Sequence, residues 1–238
     1  MANVTPAAGR AAPVPIVALD YGTVDGAMAL VAELGDLCRF YKVGSELFTA
    51  AGPAAVTGLR TAGCEVMLDL KFHDIPNTAA GAVASARALG ARILTVHAAG
   101  GDAMLRAAVE AAGSQCEVFA VTVLTSLDAP SVAAAWGRDE VDVSREVVRL
   151  ATLARGAGVA GVVASGHEVE AIRSALGLSF KVLVPGVRLA DANAADQRRV
   201  VTPARAREIG ADYVVIGRTV TAATDRRKAM EQVLQELI

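Results

Sequence analysis

Short runs of apolar residues, rich in Val and Ile, recur along the chain and alternate with longer stretches dominated by Ala, Leu and Arg. Eight such runs occur, at residues 15–21, 39–44, 65–71, 92–98, 117–124, 160–166, 181–187 and 212–218. A continuous apolar run of this length is typical of a strand that is buried on both faces, as in a parallel sheet. The pattern therefore predicts eight buried parallel strands.

The stretches between the runs have the spacing of amphipathic helices. They predict helices at about 24–35, 45–62, 77–89, 102–112, 142–157, 167–176, 203–210 and 220–236. The expected helix starts are Asp102, Ser165 or Gly166, and Thr202 with Pro203. Eight strand-then-helix units in about 225 residues predict an α/β fold, a TIM (β/α)8 barrel in a single domain. An open doubly wound sheet is the structural alternative, but no G-x-G-x-x-G turn follows the first strand.

The predicted barrel domain spans residues 15–238, and residues 1–14 are expected to form a mobile N-terminal tail. This tail is rich in Ala and Pro and lacks the compact apolar stretch of a secretory signal. Residues 126–141 are expected to form a long loop, in which Trp136 serves packing rather than recognition. Nothing else in the sequence divides the chain.

Composition narrows the possible partners and compartments. The 238 residues are 53% hydrophobic and carry a net charge of -2, which excludes a disordered chain and gives no electrostatic reason to expect nucleic acid or an anionic membrane as partner. No apolar run reaches the ~18 residues that a membrane-spanning helix needs. Three widely spaced cysteines form neither a disulfide framework nor a metal pair, so a cytoplasmic protein is expected.

Polar side chains collect where the predicted strands end, which is where TIM barrels carry their chemistry. The residues at or just beyond these ends are Asp20, Lys42, Asp69, Lys71, Asp74, His97, Thr125, Ser126, Arg188 and Arg218. Strand ends border polar loops, and that general tendency accounts for one or two such residues. It accounts poorly for the whole set, so we expect a functional site at this end.

The densest group of charges lies in residues 68–78. Asp69 and Lys71 are two positions apart, so their side chains leave a strand on the same face, and Asp74 follows beyond the strand end. A lysine between carboxylates keeps its positive charge and is a poor Schiff-base nucleophile. It is well suited to stabilise a developing anion and then protonate it. A purely structural salt-bridge network is the alternative.

The loops after the seventh and eighth strands commonly bind phosphate in this fold. Here they contain Gly186 with Arg188, and Gly217 with Arg218, the latter pair just before the last predicted helix. Backbone N–H groups, arginine side chains and a helix N-terminus together suit a phosphate dianion. These loops therefore predict a phosphate site.

Other kinds of chemistry find little support in the sequence. His73, His97 and His167 are scattered, and although Asp69, His97 and a further carboxylate could hold a divalent metal, no metal-binding spacing supports this. No G-x-S-x-G elbow or Ser-His-Asp order is present. We therefore expect neither a metal nor another cofactor.

The segment DLKFHDIPNT at 69–78 resembles the signature of the orotidine 5'-phosphate decarboxylase family. The resemblance extends over about residues 15–220, through ALD at 18–20, YKVG at 41–44, VTVLTS at 121–126, PGVR at 185–188, ADQRR at 195–199 and IGR at 216–218. The D-x-K-x-x-D core alone is shared with sugar-phosphate relatives, whereas the complete set is much more specific.

The resemblance implies the conversion of orotidine 5'-phosphate to UMP and carbon dioxide, in pyrimidine biosynthesis and without a cofactor. Lys71 would protonate C6 of the pyrimidine and Asp69 would face the departing carboxylate. Lys42 would link Asp69 to the ribose, whose hydroxyls Asp20 would bind. The remaining implied contacts are those of Thr125 and Ser126 with the base, and of Pro185, Arg188, Gln197, Gly217 and Arg218 with the substrate and its phosphate.

The resemblance also implies a homodimer, in which Asp74 and Thr78 reach into the partner's site. Two other interpretations remain open at this point. One is a metal-dependent sugar-phosphate relative of the 3-keto-gulonate-phosphate decarboxylase or hexulose-phosphate synthase type, which shares the D-x-K-x-x-D core. The other is a non-catalytic nucleotide-binding barrel, although Asp69, Lys71 and Asp74 are all present.

Overall fold

Eight parallel strands close into a barrel in the computed structural model, which describes residues 11–190 and 201–238. The strands are β1 (Val14–Ala18), β2 (Phe40–Gly44), β3 (Glu65–Phe72), β4 (Ile93–His97), β5 (Glu117–Val121), β6 (Gly161–Val163), β7 (Lys181–Val187) and β8 (Tyr213–Ile216). Each strand pairs with the next along the chain, and β8 returns to pair with β1. All eight predicted strands are confirmed, and closure of the sheet excludes the doubly wound alternative.

Helices follow every strand and cover the outside of the barrel. They are α1 (Val24–Leu34), α2 (Ser45–Ala51), α3 (Pro53–Thr61), α4 (Pro76–Ala88), α5 (Gly101–Ala112), α6 (Ala129–Trp136), α7 (Val143–Gly156), α8 (Val169–Leu176), α9 (Pro203–Glu208), α10 (Arg218–Thr221) and α11 (Arg226–Leu237). Short 3-10 turns lie at Gly35–Leu37, Ala98–Gly100 and Gly166–Glu168. The predicted (β/α)8 barrel in one domain is therefore confirmed.

Alternate residues of the strands belong to two separate apolar layers. One layer fills the barrel interior with side chains such as Ile16, Phe40, Met67, Ile93 and Phe119, and the other lies between the barrel and its helices. Because successive side chains of a strand point to opposite faces, a strand that serves both layers must be apolar at nearly every position. This explains why the runs show no alternation.

The same alternation carries polar groups to the carboxyl end of the interior. Two positions beyond Phe40, Met67 and Ile93, the inward face holds Lys42, Asp69 and Thr95. The interior is therefore apolar at mid-height and polar where the strands end. A ligand at the carboxyl end would therefore contact apolar side chains below it and charged side chains around it.

Two predicted helices are each divided in the structure. The helix predicted at 45–62 is interrupted at Gly52, whose φ of 58° is in the left-handed region that favours glycine, and Pro53 begins α3. The helix predicted at 220–236 becomes α10 and α11, because Asp225 accepts a hydrogen bond from the Lys228 amide and starts a new helix.

The expected long loop at 126–141 was partly wrong, because it contains α6. The Asp128 carboxylate accepts a 3.1 Å hydrogen bond from the Ser131 amide and caps this helix, a signal that the sequence analysis overlooked. Trp136 ends the helix, with its ring 5.5 Å from the Arg138 guanidinium carbon. It remains 36% exposed, so it is not a core residue.

The helix starts expected at Ser165 and Thr202 are confirmed, since the first caps a 3-10 turn and the second caps α9. The start expected at Asp102 is confirmed to within one residue. The helix α5 begins one residue earlier, and the Asp102 carboxylate instead accepts a 2.8 Å hydrogen bond from Arg106. An aspartate in a first turn stabilises the helix dipole without capping the helix, which is why the two positions are easily confused.

The predicted tail at 1–14 lies mostly outside the described residues. Its last residue, Val14, pairs with Tyr213 as part of β1, so the strand begins one residue before the predicted boundary. Among the residues that the structure describes, no helix is both long enough and apolar enough to cross a membrane.

Candidate active site

A cavity of about 340 Å³ opens at the carboxyl end of the barrel. Nine of the predicted site residues line it: Asp20, Lys42, Asp69, Lys71, Thr125, Pro185, Arg188, Gly217 and Arg218. They come from six different strand ends, which the closed barrel brings around one space. A cavity of this size suits a small organic ligand.

Its floor consists of apolar side chains that sequence reasoning did not select. These are Ala18, Met67, Val121, Val163, Leu183 and Val215, all members of the interior layer. An apolar floor beside charged groups excludes water and strengthens the electrostatic interactions above it. In the sequence these residues are indistinguishable from other strand residues, because the interior layer and the cavity floor require the same residue types.

Two lysines share one carboxylate at the side of this cavity. The Lys71 ammonium donates a 2.9 Å hydrogen bond to Asp69 Oδ2, and Lys42 Nζ lies 3.8 Å from the same oxygen. Lys42 also donates a 3.0 Å hydrogen bond to Asp20 Oδ1. The Asp69 and Lys42 side chains are 13% and 12% exposed, against 36% for Lys71. Lys71 is therefore the lysine more open to a ligand.

The Asp69 carboxylate is kept ionised by its neighbours. Burial by itself raises the pKa of this carboxyl, but the ammonium groups of Lys71 and Lys42 and the hydrogen bonds from Lys71 and Thr95 outweigh burial, so the pKa lies below its ordinary value. The carboxylate is therefore charged at neutral pH. Its negative charge is buried beside the space that a ligand would occupy.

The backbone of Lys71 adopts an unusual conformation. With φ at 51°, Lys71 is the one residue other than glycine in the left-handed region among residues 11–190 and 201–238. It lies where the pairing of β3 with β4 shifts register, between Leu68 and Phe72. Such strain persists only where surrounding structure holds it, and it is concentrated at functional sites.

Gly44 provides space for the Lys42–Asp20 pair. A Cβ atom at this position would lie 2.8 Å from Lys42 Nζ and 3.3 Å from Asp20 Oδ1. Any larger residue would therefore displace one of the two charged groups. The glycine is the last residue of the predicted run 39–44 and of β2, and sequence reasoning treated it only as part of a motif.

The opposite side of the cavity contains the two predicted phosphate loops. Arg188 and Arg218 line it, together with Gly186 and with Gly217, which precedes α10. The Thr219 hydroxyl donates a 3.4 Å hydrogen bond to the Val187 carbonyl and so connects the two loops. Gln197, which was also predicted here, lies outside the described residues. The loops thus combine arginines and backbone amides around one space, as an anion site requires.

Three predicted site residues do not line this cavity. Asp74 and Thr78 are exposed, as are all the residues from His73 to Thr78, and the Asp74 carboxylate accepts a 2.7 Å hydrogen bond from the Ile75 amide. Ser126 is also exposed, one residue beyond the lining residue Thr125. A single chain therefore does not assemble the whole predicted set.

Two of the three histidines lie close together in the structure. His73 and His97 are far apart in sequence but close in space, with ring centroids 5.4 Å apart. Burial, His73 and Lys71 all lower the pKa of His97, against a smaller opposing effect of Asp69. Within the part of the chain that the structure describes, no three His, Cys, Asp or Glu side chains are grouped as a metal site would need.

These features define a (β/α)8-barrel enzyme whose cavity brings two lysines to one buried carboxylate. The sequence model of the orotidine 5'-phosphate decarboxylase / HUMPS family matches residues 13–233, and the chain belongs to this family. Similar curated proteins carry the same enzyme name. "Orotidine 5'-phosphate decarboxylase" of Moorella thermoacetica is 47% identical over 230 residues, which cover 93% of this chain and 91% of that protein. The protein of that name from Anaeromyxobacter dehalogenans is 51% identical over 208 residues, covering 87% and 91%.

Solved structures agree with the fold. The crystal structure of orotidine 5'-phosphate decarboxylase from Lactobacillus acidophilus is 34% identical with a TM-score of 0.84, covering 95% of this chain and 99% of that one. An uncharacterised conserved protein from Geobacillus kaustophilus is 35% identical with a TM-score of 0.82, covering 94% and 100%. The resemblance proposed from the sequence motifs is confirmed.

Proposed function

We propose that this protein decarboxylates orotidine 5'-phosphate to UMP and carbon dioxide, as the last step of UMP synthesis. Membership of the family and the names of its similar relatives support this activity. The observation that carries the proposal is the Lys71 ammonium, held 2.9 Å from a buried carboxylate and facing the cavity. A fixed cation of this kind is what a developing carbanion needs.

In the proposed reaction the bond between C6 of the pyrimidine and its carboxylate breaks, and the electron pair stays on C6. This pair occupies an sp2 orbital that the ring π system cannot delocalise, so the protein must stabilise it electrostatically. Lys71 supplies the positive charge and then donates a proton from Nζ to C6. Lys71 regains a proton from water, which balances the reaction without any cofactor.

We assign the other charged residues to orientation of the reacting groups. Asp69 faces the substrate carboxylate, and their mutual repulsion is relieved as carbon dioxide leaves. Lys42 connects Asp69 to the ribose, and Asp20 accepts hydrogen bonds from ribose hydroxyls. The Lys42 contacts with both carboxylates support this arrangement, because they fix the lysine between the two roles.

The substrate's ends are assigned to the loops. Arg188, Gly217 and Arg218 bind the phosphate together with Gln197, and Thr125, Ser126 and Pro185 contact the base or its surroundings. Binding energy from the phosphate, far from C6, is then available to hold the reacting geometry. The position of the arginines in the cavity lining, across from the lysines, supports this division.

The activity can be tested by following the ultraviolet absorbance of orotidine 5'-phosphate with purified protein in excess EDTA. Conversion to UMP under these conditions is the expected result. Conversion that requires added magnesium, or turnover of a hexulose phosphate instead, would favour the sugar-phosphate branch of the family. Tight UMP binding without any turnover would indicate a nucleotide-binding barrel.

We further propose that the active form is a homodimer with shared sites, in which Asp74 and Thr78 complete the partner's cavity. Both residues are exposed and absent from the lining of their own cavity among the described residues. The adjacent Ile75 side chain is 67% exposed and lies in the same exposed segment as Asp74 and Thr78. A second copy of this chain would bury it.

Subunit complementation tests the shared site. Lys71→Ala and Asp74→Ala proteins are each expected to be inactive, whereas mixed dimers regain activity because one of their two sites carries neither lesion. Subunit exchange is verified with differently tagged chains. Exchange without recovered activity would contradict the shared site while leaving the decarboxylase assignment intact.

We also propose a cytoplasmic location. Cys38, Cys64 and Cys116 are all buried free thiols, a state typical of a reducing compartment. Burial, followed by the nearby Glu117 charge, raises the pKa of the Cys116 thiol to about 11. The thiols are therefore expected to be inert in the folded protein and to react with a thiol reagent only after denaturation.

A further inference from the structure

Thr95 is a polar residue in the middle of an apolar strand, and the chemistry described above does not use it. It lies in β4 two residues after Ile93, on the face that points into the barrel, and it is fully buried. It is not among the described residues that line the cavity. A buried hydroxyl is costly unless it is hydrogen-bonded, so its partners show what it does.

Both partners of Thr95 belong to the lysine–carboxylate centre. Its hydroxyl donates a 2.8 Å hydrogen bond to Asp69 Oδ1 and accepts a 3.0 Å hydrogen bond from the Lys71 amide. An amide can only donate, so the single hydroxyl hydrogen must go to the carboxylate. Thr95 thereby occupies Oδ1 and leaves Oδ2 for the two lysines, which contact that oxygen.

The strand geometry shows why a side chain is needed here. The pairing of β3 with β4 runs from Met67↔Ile93 to Leu68↔Leu94 and resumes only at Phe72↔Val96. In the interruption, β3 carries more residues than β4, and Lys71 has its left-handed backbone. The Thr95 hydroxyl accepts the Lys71 N–H within this interruption, and one atom therefore restrains both the carboxylate and the strained lysine backbone.

The geometry points to Thr95 as a positioning residue that sets the relative placement of Asp69 and Lys71 for catalysis. This inference rests on the proposed decarboxylation. Because Thr95 does not line the cavity, its contribution is expected to appear in turnover rather than in binding. A displacement of about 1 Å of a reacting group is enough to lower a rate substantially.

The test compares Thr95→Val with Thr95→Ser. Valine keeps the branched shape and removes the hydroxyl, whereas serine keeps the hydroxyl and removes a methyl group. Thr95→Val is expected to lower kcat by about 10- to 100-fold, the range for hydrogen bonds to charged groups, while KM and UMP affinity stay within about threefold. Thr95→Ser is expected to keep kcat within about threefold of wild type.

Thr122→Val is the matched control for loss of a buried hydroxyl. The Thr122 hydroxyl donates a 2.9 Å hydrogen bond to the Val163 carbonyl and has no contact with Asp69 or Lys71 among its described hydrogen bonds. It is expected to lower thermal stability and leave kcat within about twofold. Should Thr95→Val fail to fold, Thr95→Cys replaces it, because a thiol is a weak donor of similar size.

Each outcome decides the inference. A Thr95→Val protein with wild-type kcat would overturn it. Equal losses in Thr95→Val, Thr95→Ser and Thr122→Val, or a loss confined to KM and UMP affinity, would also overturn it, because they would indicate a structural or binding role. An inactive wild-type protein would instead overturn the proposed function itself, so the two failures are distinguishable.

Discussion

At the amino end of the barrel three cations each pair with a carboxylate, whereas at the carboxyl end two lysines share one. The amino-end pairs are Arg92 with Glu65, Lys181 with Glu117, and Arg173 with Asp212. The first two cations also lie near aromatic rings of the interior layer, Arg92 over Phe40 and Lys181 over Tyr213. These groups cover the lower end of the apolar interior and are not among the residues that line the cavity at the carboxyl end.

The carboxyl end differs in charge balance and in openness, although it uses the same residue types. Lys42 and Lys71 both contact Asp69, and this group borders the cavity of about 340 Å³. Lys42 also pairs with Asp20, so the excess of positive charge comes from the cavity lining as a whole, which holds four cations and two carboxylates: Lys42, Lys71, Arg188 and Arg218 against Asp20 and Asp69. Such an excess beside an open space attracts an anion, whereas one-to-one pairing satisfies the charges within the protein. The charge balance and the adjacent space, rather than the presence of charged residues, therefore separate a catalytic end from a structural one.

Among the substitutions that test the difference between the two ends, the largest effect on turnover is expected at Lys71. Lys71→Ala should lower kcat by at least about 10⁴-fold, because it removes both the stabilising charge and the proton donor. The melting temperature should change little, since the Lys71 side chain is 36% exposed. Ultraviolet assays and thermal unfolding measure the two quantities, with the exposed Lys228→Ala as control. Turnover near the wild-type rate would refute the assignment.

At the amino end we expect the opposite result, which is a loss of stability with little change in activity. The Arg173 side chain is only 8% exposed. Its guanidinium lies 2.6 Å from Asp212 Oδ2 and donates a hydrogen bond to the Gly210 carbonyl. Arg173→Leu should lower the free energy of unfolding by about 3 kcal/mol, because it leaves a partly buried carboxylate without its cation. kcat/KM should stay within about twofold. Urea unfolding checks this against the exposed Arg145→Leu; a fall in kcat/KM at 25 °C would show that the two ends are coupled.

A smaller effect, on ligand binding, is expected from a substitution of Arg218, which lies just after β8. Arg218→Ala should weaken UMP binding by about 10- to 100-fold, the range for a charge-assisted contact, and should affect uridine binding much less. Calorimetric titration with both ligands separates the phosphate contribution from that of the nucleoside. The exposed Arg207→Ala serves as control. Equal losses of affinity for UMP and uridine would show that Arg218 does not bind the phosphate.

The smallest expected effect is the pH dependence of stability at Asp69. Its folded pKa lies below the ordinary value, so its ionisation stabilises the fold above the unfolded pKa of about 3.9, and this contribution is lost as pH falls through the lower folded pKa. The stability difference between wild type and Asp69→Asn should therefore be constant from pH 7 to 5 and change in favour of the Asn variant below about 4. Urea unfolding at each pH measures it. If the stability difference instead changes in favour of the wild type as the pH falls, burial outweighs the two lysines and raises the pKa of Asp69.

Several parts of the site could be predicted because they follow from strand spacing alone. Asp69 and Lys71 share a face at a strand end, and the strand ends of a barrel converge, so nine predicted residues do line one cavity. Thr95 was detectable in principle as a polar residue inside an apolar run. Its partners were not, because they depend on an irregular register between β3 and β4.

The sequence by itself determined the eight strand–helix units, since burial on both faces of a strand requires a continuous apolar run. It also determined which strand ends carry charge and, through its motifs, the family. Only the tertiary structure decided that Lys42 and Lys71 share Asp69, that Lys71 has a left-handed backbone, and that Asp74 stays outside its own cavity. The physical reason is that hydrogen bonds and charge pairs depend on distances of a few ångströms between strands distant in sequence, which barrel closure and register fix and local patterns do not encode.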